Sequence, residues 1–334
     1  MHIGDNRQMA YPLSPPDLGI NWVPATVDDA DALSALYNEI AEHDNTPERL
    51  SADTMAHELE SAFAPLDERT IVGRTPDGEV VAYGTMYHRK GDTNEDRVYV
   101  ATYVRPDHRP PLDEPLTDWA VGAGERELAT SASARRFACA WLYKSQQGAA
   151  DRFRQRGFEP VRHWWEMERL LSDAVEPVDE DGFSVVPWED GHNAPTRLVH
   201  NAAFRDPWGS VPMSEDAWQN NVLESPGFRP DLSYIAIAEG EIAGYSYNEV
   251  YEEDWESAGQ SEAWISALGV LRKWRKKGIA TALLSRSMQT MRDAGLEAAM
   301  IGVDSSSPSG AQHLYQAVGF QTKTKGTTWQ REVR

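Results

Sequence analysis

Two of the four Gly-Phe dipeptides, Gly157-Phe158 and Gly319-Phe320, lie 162 residues apart in a chain of 334. Each closes the same local pattern. A short amphipathic stretch precedes it (AADRFRQR and GAQHLYQAV), and a β-like stretch follows. Val104 and Val270 end two further strand-like runs, 166 residues apart. A unit of half a chain is too long for a solenoid repeat, which spans roughly 20–50 residues. It has the size of a domain, so the chain is expected to hold a duplicated fold.

The order of elements is the same in both copies. The first reads as helix 30–41, strands 70–74 and 80–87 joined by Pro76-Asp77-Gly78, strand 97–104, helix 116–130, strand 136–143, helix 148–155 and strand 161–170. The second reads as helix 194–204, strands 233–238 and 242–251 joined by Glu239-Gly240, strand 262–270, helix 279–294, strand 298–303, helix 309–317 and strand 322–332. Apolar spacing and turn residues carry these assignments. Residues 177–187, acidic and rich in Pro and Gly, contain the linker and the first strand of the second copy. The expectation is an α+β fold: a loose tail over 1–17, one domain over 18–174 and a second over 175–334, each a mixed, mostly antiparallel sheet flanked by helices.

Composition narrows the function. A formal net charge of -21 opposes a nucleic-acid partner. No apolar run approaches the roughly 18 residues of a membrane helix, and the N-terminus lacks an apolar signal core. The single cysteine, Cys139, lies in the apolar stretch FACAWLY and reads as core. No Cys/His cluster has metal spacing, so no metal is expected. These features suit a cytoplasmic protein acting on a small molecule, as a monomer or homodimer.

Within this acidic chain, residues 268–281 stand out: Leu268-Gly269-Val270, then Arg275-Lys276-Lys277-Gly278-Ile279-Ala280-Thr281. An apolar strand end runs into a basic turn and a helix that opens on glycine. Such a turn aims several backbone N–H groups at one point, at the positive end of a helix dipole, where a pyrophosphate binds. Gly278 permits close approach and Ala280 keeps the next turn slim.

These residues resemble the GCN5-related N-acetyltransferase (GNAT) superfamily. Arg275-Lys276-Lys277-Gly278-Ile279-Ala280 matches its central Arg/Gln-x-x-Gly-x-Gly/Ala motif. Residues 303–320, VDSSSPSGAQHLYQAVGF, match its late motif, with Ser307 where the family places Asn. The tandem plan is similar to that of mycothiol synthase-like actinobacterial acetyltransferases. The resemblance implies acetyl-CoA as acyl donor, held by the splayed strand end at Leu268, Gly269 and Val270, by the amides of Lys276 to Thr281, and by Ser307. It implies Tyr315 as the acid that protonates the leaving thiolate.

The first copy departs from the motif. Arg109 aligns with Arg275, Leu112 with Gly278 and Glu114 with Ala280. Pro110 and Pro111 remove two donors, Asp113 and Glu114 oppose an anion, and Phe153 stands in place of Tyr315. The first copy is therefore expected to be non-catalytic and to wall the pocket of the second.

The acceptor must arrive as a neutral amine, which calls for a base. Strand alternation puts Tyr245, Tyr247, Glu249 and Tyr251 on one face and makes Glu249 the candidate base. Glu252, Glu253 and Asp254 read as a solvated hairpin tip, and Glu262 starts the strand toward the cofactor. Segment 200–218 offers Phe204, Trp208 and Trp218 as apolar walls, with His200 and Asp206 as polar groups. The reading is an N-acetyltransferase for a small primary amine, working by direct attack in a ternary complex in the second copy. The residues leave open an acyl-CoA-binding module with little turnover, or another acyl-CoA donor.

Overall fold

The computed structural model describes residues 11–60, 65–89, 94–172, 175–205, 208–307 and 310–333. The first copy contributes β1 (Asn21–Val23), β2 (Thr70–Arg74), β3 (Val80–Arg89), β4 (Glu95–Val104), β5 (Arg135–Tyr143) and β6 (Glu159–Leu170). The second contributes β7 (Ser184–Pro187), β8 (Tyr234–Ala238), β9 (Glu241–Glu249), β10 (Glu262–Val270), β11 (Ala298–Asp304) and β12 (Gln321–Val333). Helices α1 (Ala30–Asp44), α2 (Ala52–Glu60), α3 (Leu66–Arg69), α4 (Arg109–Ala129) and α5 (Gln147–Gln155) belong to the first copy. Helices α6 (Asn193–Ala203), α7 (Glu215–Trp218), α8 (Trp255–Ala258), α9 (Ile279–Asp293) and α10 (Ala311–Ala317) belong to the second.

The two sheets are one sheet. Its strand order is β1-β2-β3-β4-β5-β12-β6-β11-β10-β9-β8-β7. Each copy is completed by the last strand of the other: β12 pairs with β5, and β6 pairs with β11, while β6 and β12 pair together. The linker near residue 175 therefore separates the copies in sequence but not in space. Parallel pairing occurs at β4–β5 and β10–β11, and in both places it stops short. β10 and β11 are paired only from Glu262–Ala298 to Ile265–Ile301, so residues 267–270 face no strand on that side. β10 also carries a bulge against β9 between Ile265 and Ala267, which β4 lacks against β3.

Both faces of the sheet are covered. Ile235, Tyr245 and Tyr247 face α6, whereas Ala236 and Ala243 pack with Ile279 and Leu283 of α9. Ile235 and Ala236 alternate by the strand period of two, and the extra residue at Ala243, where β9 bulges against β8, turns Ala243 to the face opposite Tyr245. The Gly-Phe dipeptides cap α5 and α10 in the same way. Gly157 and Gly319 adopt φ of 78° and 95°, and the next N–H returns to Phe153 O (3.1 Å) and Tyr315 O (3.0 Å). Glu239 and Gly240, at φ 50° and 78°, form the left-handed turn that suits a tight hairpin.

Three sequence expectations change. The helix of the first copy begins at Arg109, not near 116, because Pro110 and Pro111 fit the first helical turn, where N–H groups lack partners anyway. Residues 1–10 of the expected tail lie outside the described residues, but Tyr11 is docked: its hydroxyl accepts from Arg331 Nη1 at 3.0 Å and its ring covers Gly122. Glu253 and Asp254 are not a solvated tip. Asp254 accepts the Arg49 N–H and Glu253 accepts from Ser51 N–H and Thr54 Oγ, so they fasten the α1–α2 loop of the first copy to the second.

Candidate active site

The two copies run in register up to one arginine and then part. Arg105 N–H bonds Val81 O and Leu271 N–H bonds Ala243 O, both at 2.9 Å. Arg109 Nε donates to Val104 O at 3.3 Å, and Arg275 Nε donates to Val270 O at 3.1 Å. Arg109 then has ψ of -54° and enters α4, while Arg275 has ψ of 153° and swings out. Lys276 takes φ of 64° and Gly278 φ of 83° before α9 begins at Ile279. Among the described residues, the N–H groups of Lys276, Lys277, Gly278, Ile279, Ala280 and Thr281 meet no acceptor; Ala282 N–H is the first to bond, to Gly278 O. Six consecutive open donors at a helix N-terminus form an anion cradle. A Cβ built on Gly278 meets nothing within 4 Å. Arg275 is engaged by the protein itself, since Nη2 also donates to Ala203 O at the end of α6 (3.0 Å). Lys277 lies over the Trp274 ring at 4.2 Å.

In the first copy the same space is filled. Leu112, aligned with Gly278, is 1% exposed in the core. Arg152 of α5 donates to Asp113 at the start of α4 (2.9 Å), and Arg156 reaches Asp118 (2.7 Å) and Glu114 (2.8 Å). Their counterparts across the repeat are apolar: Leu314 for Arg152 and Ile279 for Asp113. Ion pairs thus tie α5 to the opening turn of α4.

Tyr315 occupies the place of Phe153 on α10. It is buried, packs edge-on against Phe320 with centroids 6.2 Å apart, and its hydroxyl has no hydrogen-bond partner among the described residues. Burial pushes the phenol up to about 12, so it carries its proton at neutral pH. Ser307 lies in the turn between β11 and α10, its N–H on Asp304 O (3.0 Å) and its carbonyl accepting from Gly310 N–H (3.1 Å). Ser309, where the sequence suggested that α10 begins, lies outside the described residues.

The other face of the sheet carries an aromatic cluster. His200 Nδ1 and Tyr245 Oη share a 2.6 Å hydrogen bond, and Phe204 stacks on His200 at 4.8 Å. Trp218 sits edge-on to His200, Tyr245 and Tyr247. Tyr245 and Tyr247 lie parallel, 5° apart. Gly269 makes this possible, because a Cβ there would stand 2.4 Å from the Tyr245 ring. Tyr247 pairs with Ala267, where β10 leaves β11. Glu249 accepts from Ser225 Oγ (2.7 Å) and Tyr251 Oη (3.0 Å). It lines a cavity of about 410 Å³ shared by both copies, with Thr54, Glu58 and Tyr87 from the first and Ser225 and Tyr251 from the second. A second cavity, of about 490 Å³, opens beside His200 and Phe204.

Trp208 does not join these walls. Its ring is held against Arg97 (4.7 Å) and Arg162 (5.5 Å) of the first copy, an arrangement favoured by guanidinium–ring attraction. Asp206 lies outside the described residues. Tyr83 and Tyr103, stacked at 5.9 Å, mark the same level of the first copy, where Tyr103 stands at the position of Gly269.

Comparison with known proteins agrees with this geometry. Residues 195–320 match the acetyltransferase (GNAT) family. The mycothiol acetyltransferase of Pseudarthrobacter chlorophenolicus is 26% identical over 200 residues, 58% of either chain. That of Paenarthrobacter aurescens is 28% identical over 185 residues, 54% of this chain and 56% of the relative. The chain thus spans little more than half the length of these curated relatives. Among solved structures, a GCN5-related N-acetyltransferase from Sphaerobacter thermophilus superposes with a TM-score of 0.72 at 25% identity, over 96% of this chain and 98% of that one. A tandem GNAT protein from the clavulanic acid biosynthesis pathway gives 0.68 at 18% identity, over 94% and 98%. With the motif, the splayed strands and the repeated topology in agreement, residues 195–320 fall in the acetyltransferase (GNAT) family, and the whole chain has the fold of these solved structures, one of them a tandem GNAT protein.

Proposed function

We propose that the chain transfers an acetyl group from acetyl-CoA to the primary amine of a small molecule, at the second copy. The observation that carries this reading is the row of six open N–H groups over 276–281 beside the splayed edge of β10. The donor set fits an acyl-CoA. The open amides and nearby lysines suit a pyrophosphate, and the unpaired edge over 267–270 offers backbone groups to a pantetheine amide. Arg275 acts by position, tying β10 to α6. The filled cradle of the first copy supports a non-catalytic role there.

Tyr315, protonated and without a competing acceptor, is suited to give its proton to the departing thiolate. His200, Phe204 and Tyr247 form the wall facing the acceptor, and Glu249 presents a carboxylate to the shared cavity. No apolar helix among the described residues is long enough to cross a membrane. The test is release of CoA from acetyl-CoA over a panel of primary amines (amino sugars, amino acids, polyamines). Amine-dependent release is expected. Binding of acetyl-CoA with no release under any condition contradicts the transfer reading.

A further inference from the structure

The face of the sheet opposite α9 has an unusual gap at its centre. Gly302 of β11 is exposed, although β11 lies deep inside a twelve-stranded sheet, and a Cβ there would meet nothing within 4 Å. Ile301, its neighbour, is the last residue that β11 pairs with β10. Gly302 is therefore the first residue on the β11 side of the splay, and Ala267, faced by Tyr247, lies on the β10 side. On the remaining flank of Gly302 its register partner is Glu166, from β6 of the first copy. Met167 and Ile301 are buried together in the core against α9, so alternation turns Glu166 and Gly302 to the acceptor face. Directly opposed residues on adjacent strands stand about 4.5–5.5 Å apart at Cα. Glu249, by contrast, pairs with Trp264, farther from the splay.

The repeat supplies an internal comparison. Val98–Ala138 in β4–β5 corresponds to Ala263–Ala299 in β10–β11, because the pair Met86–Val100 of β3–β4 lines up with Asn248–Ile265 of β9–β10 and so Val98 with Ala263. The counterpart of Gly302 is then Trp141, and the partner of Trp141 on β12 is Thr328. The closed copy thus has an indole side chain and a hydroxyl where the open copy has empty space and a carboxylate. Thr328 is buried, its Oγ1 accepting from Trp164 Nε1 at 2.8 Å.

Resting on the transfer reading above, we propose that Glu166, supplied by the exchanged strand of the first copy, is the general base for the acceptor amine of the second. Its carboxylate takes one proton from the ammonium form of the acceptor. The freed nitrogen lone pair forms the N–C bond to the acetyl carbon as the C–S bond breaks, and the sulfur takes the proton of Tyr315. The second proton leaving nitrogen restores the Tyr315 hydroxyl through solvent, Glu166 returns its proton to solvent, and one N–H remains in the amide.

The surroundings suit the task. Tyr143 of β5 donates to Glu166 at 3.0 Å. Burial, with the charges of Glu48, Glu262 and Asp254, raises the Glu166 carboxyl to about 7, while the Tyr143 hydrogen bond opposes the rise. Lys323 of β12, the nearby cation, is held by Glu168 (2.7 Å) and Glu262 (3.1 Å). A base that titrates near working pH is efficient.

The experiment measures CoA release by the full chain across pH with glucosamine, spermidine and cysteine, and without amine, when water is the acceptor. For Glu166→Gln, kcat/KM is expected to fall about 100-fold or more, with acetyl-CoA affinity within threefold of wild type and the rise near pH 7 abolished. Glu166→Asp should keep that rise. Tyr143→Phe removes only the donated hydrogen bond and should move the rise to higher pH, which remains informative if Glu166→Gln folds poorly. Turnover by Glu166→Gln within threefold of wild type, or a rise unmoved in Tyr143→Phe, overturns the assignment and leaves the transfer reading intact. A wild type that binds acetyl-CoA but never releases CoA overturns both.

Discussion

Gly269 and Gly302 flank the same splay and should respond to alanine in opposite ways. A Cβ at Gly269 would sit 2.4 Å from the Tyr245 ring, at least 1 Å inside ordinary contact. Tyr245 is fully buried among Trp188, Trp218 and Tyr247 and bonded to His200, so its ring has no free direction to move. Overpacking of this kind costs about 1–3 kcal/mol. Losing the His200 hydrogen bond adds about 1 kcal/mol, and the gain from replacing a strand glycine returns about 0.5–1 kcal/mol. Gly269→Ala should therefore destabilise by about 1–3 kcal/mol, read as a lower urea midpoint at unchanged slope. Gly302→Ala should be neutral or stabilising by up to about 1 kcal/mol, since its Cβ meets only space. Its penalty should appear in activity instead, as a several-fold lower kcat/KM for amines with acetyl-CoA affinity unchanged. If Gly269→Ala unfolds at the same urea concentration as wild type, or Gly302→Ala is the less stable variant, the packing account of the splay is wrong.

Other perturbations test neighbouring parts. Glu58, Glu166 and Asp254 are each raised to about 7, first by burial and then by neighbouring carboxylates. The folded chain then binds more protons than the unfolded chain between about pH 4 and 7, so stability must fall as pH rises through that window. Glu166 alone accounts for up to about 3 kcal/mol, and a urea midpoint as high at pH 8 as at pH 5 would contradict this. Tyr315→Phe should lower kcat by about 100-fold or more while the acetyl-CoA dissociation constant, measured by calorimetry, stays within threefold. Residues 175–334 expressed alone lack β6, so β11 and β12 lose their shared neighbour. That fragment should show no cooperative unfolding until residues 1–174 are co-expressed, and a cooperative isolated fragment would refute the obligate exchange.

Much of this molecule is readable from its residues because the signals are local. The runs Glu262–Val270 and Ala298–Asp304 read as strands close to those observed, since most of their residues are buried or half-buried in the middle of the sheet. Gly157-Phe158 and Gly319-Phe320 mark helix ends because a left-handed cap needs glycine. The closed cradle of the first copy was legible in Pro110, Pro111 and Leu112, although their effect is to begin a helix earlier rather than to distort a turn. Helix α2 is hard to read in the sequence even though Ser51 caps it by accepting the Thr54 N–H (3.1 Å), because its apolar face is narrow. What could not be read was the long-range pairing. β6 and β12 have ordinary strand patterns, and nothing in either says that each completes the other copy. For that reason the sequence does not single out Glu166, whose place beside the splay depends on the register with Gly302. Trp208 misled for a similar reason: the arginines that hold it come from β4 and β6, more than 40 residues away in sequence.

The most direct test of the central claim is calorimetric titration of the full chain with acetyl-CoA. One site per chain is expected. Gly278→Val, which forces a branched side chain into a left-handed position, should weaken it about tenfold or more, whereas Leu112→Ala in the first copy should leave the stoichiometry at one. Two sites per chain, or one site indifferent to Gly278, would contradict the assignment of the acyl-CoA cradle to the second copy.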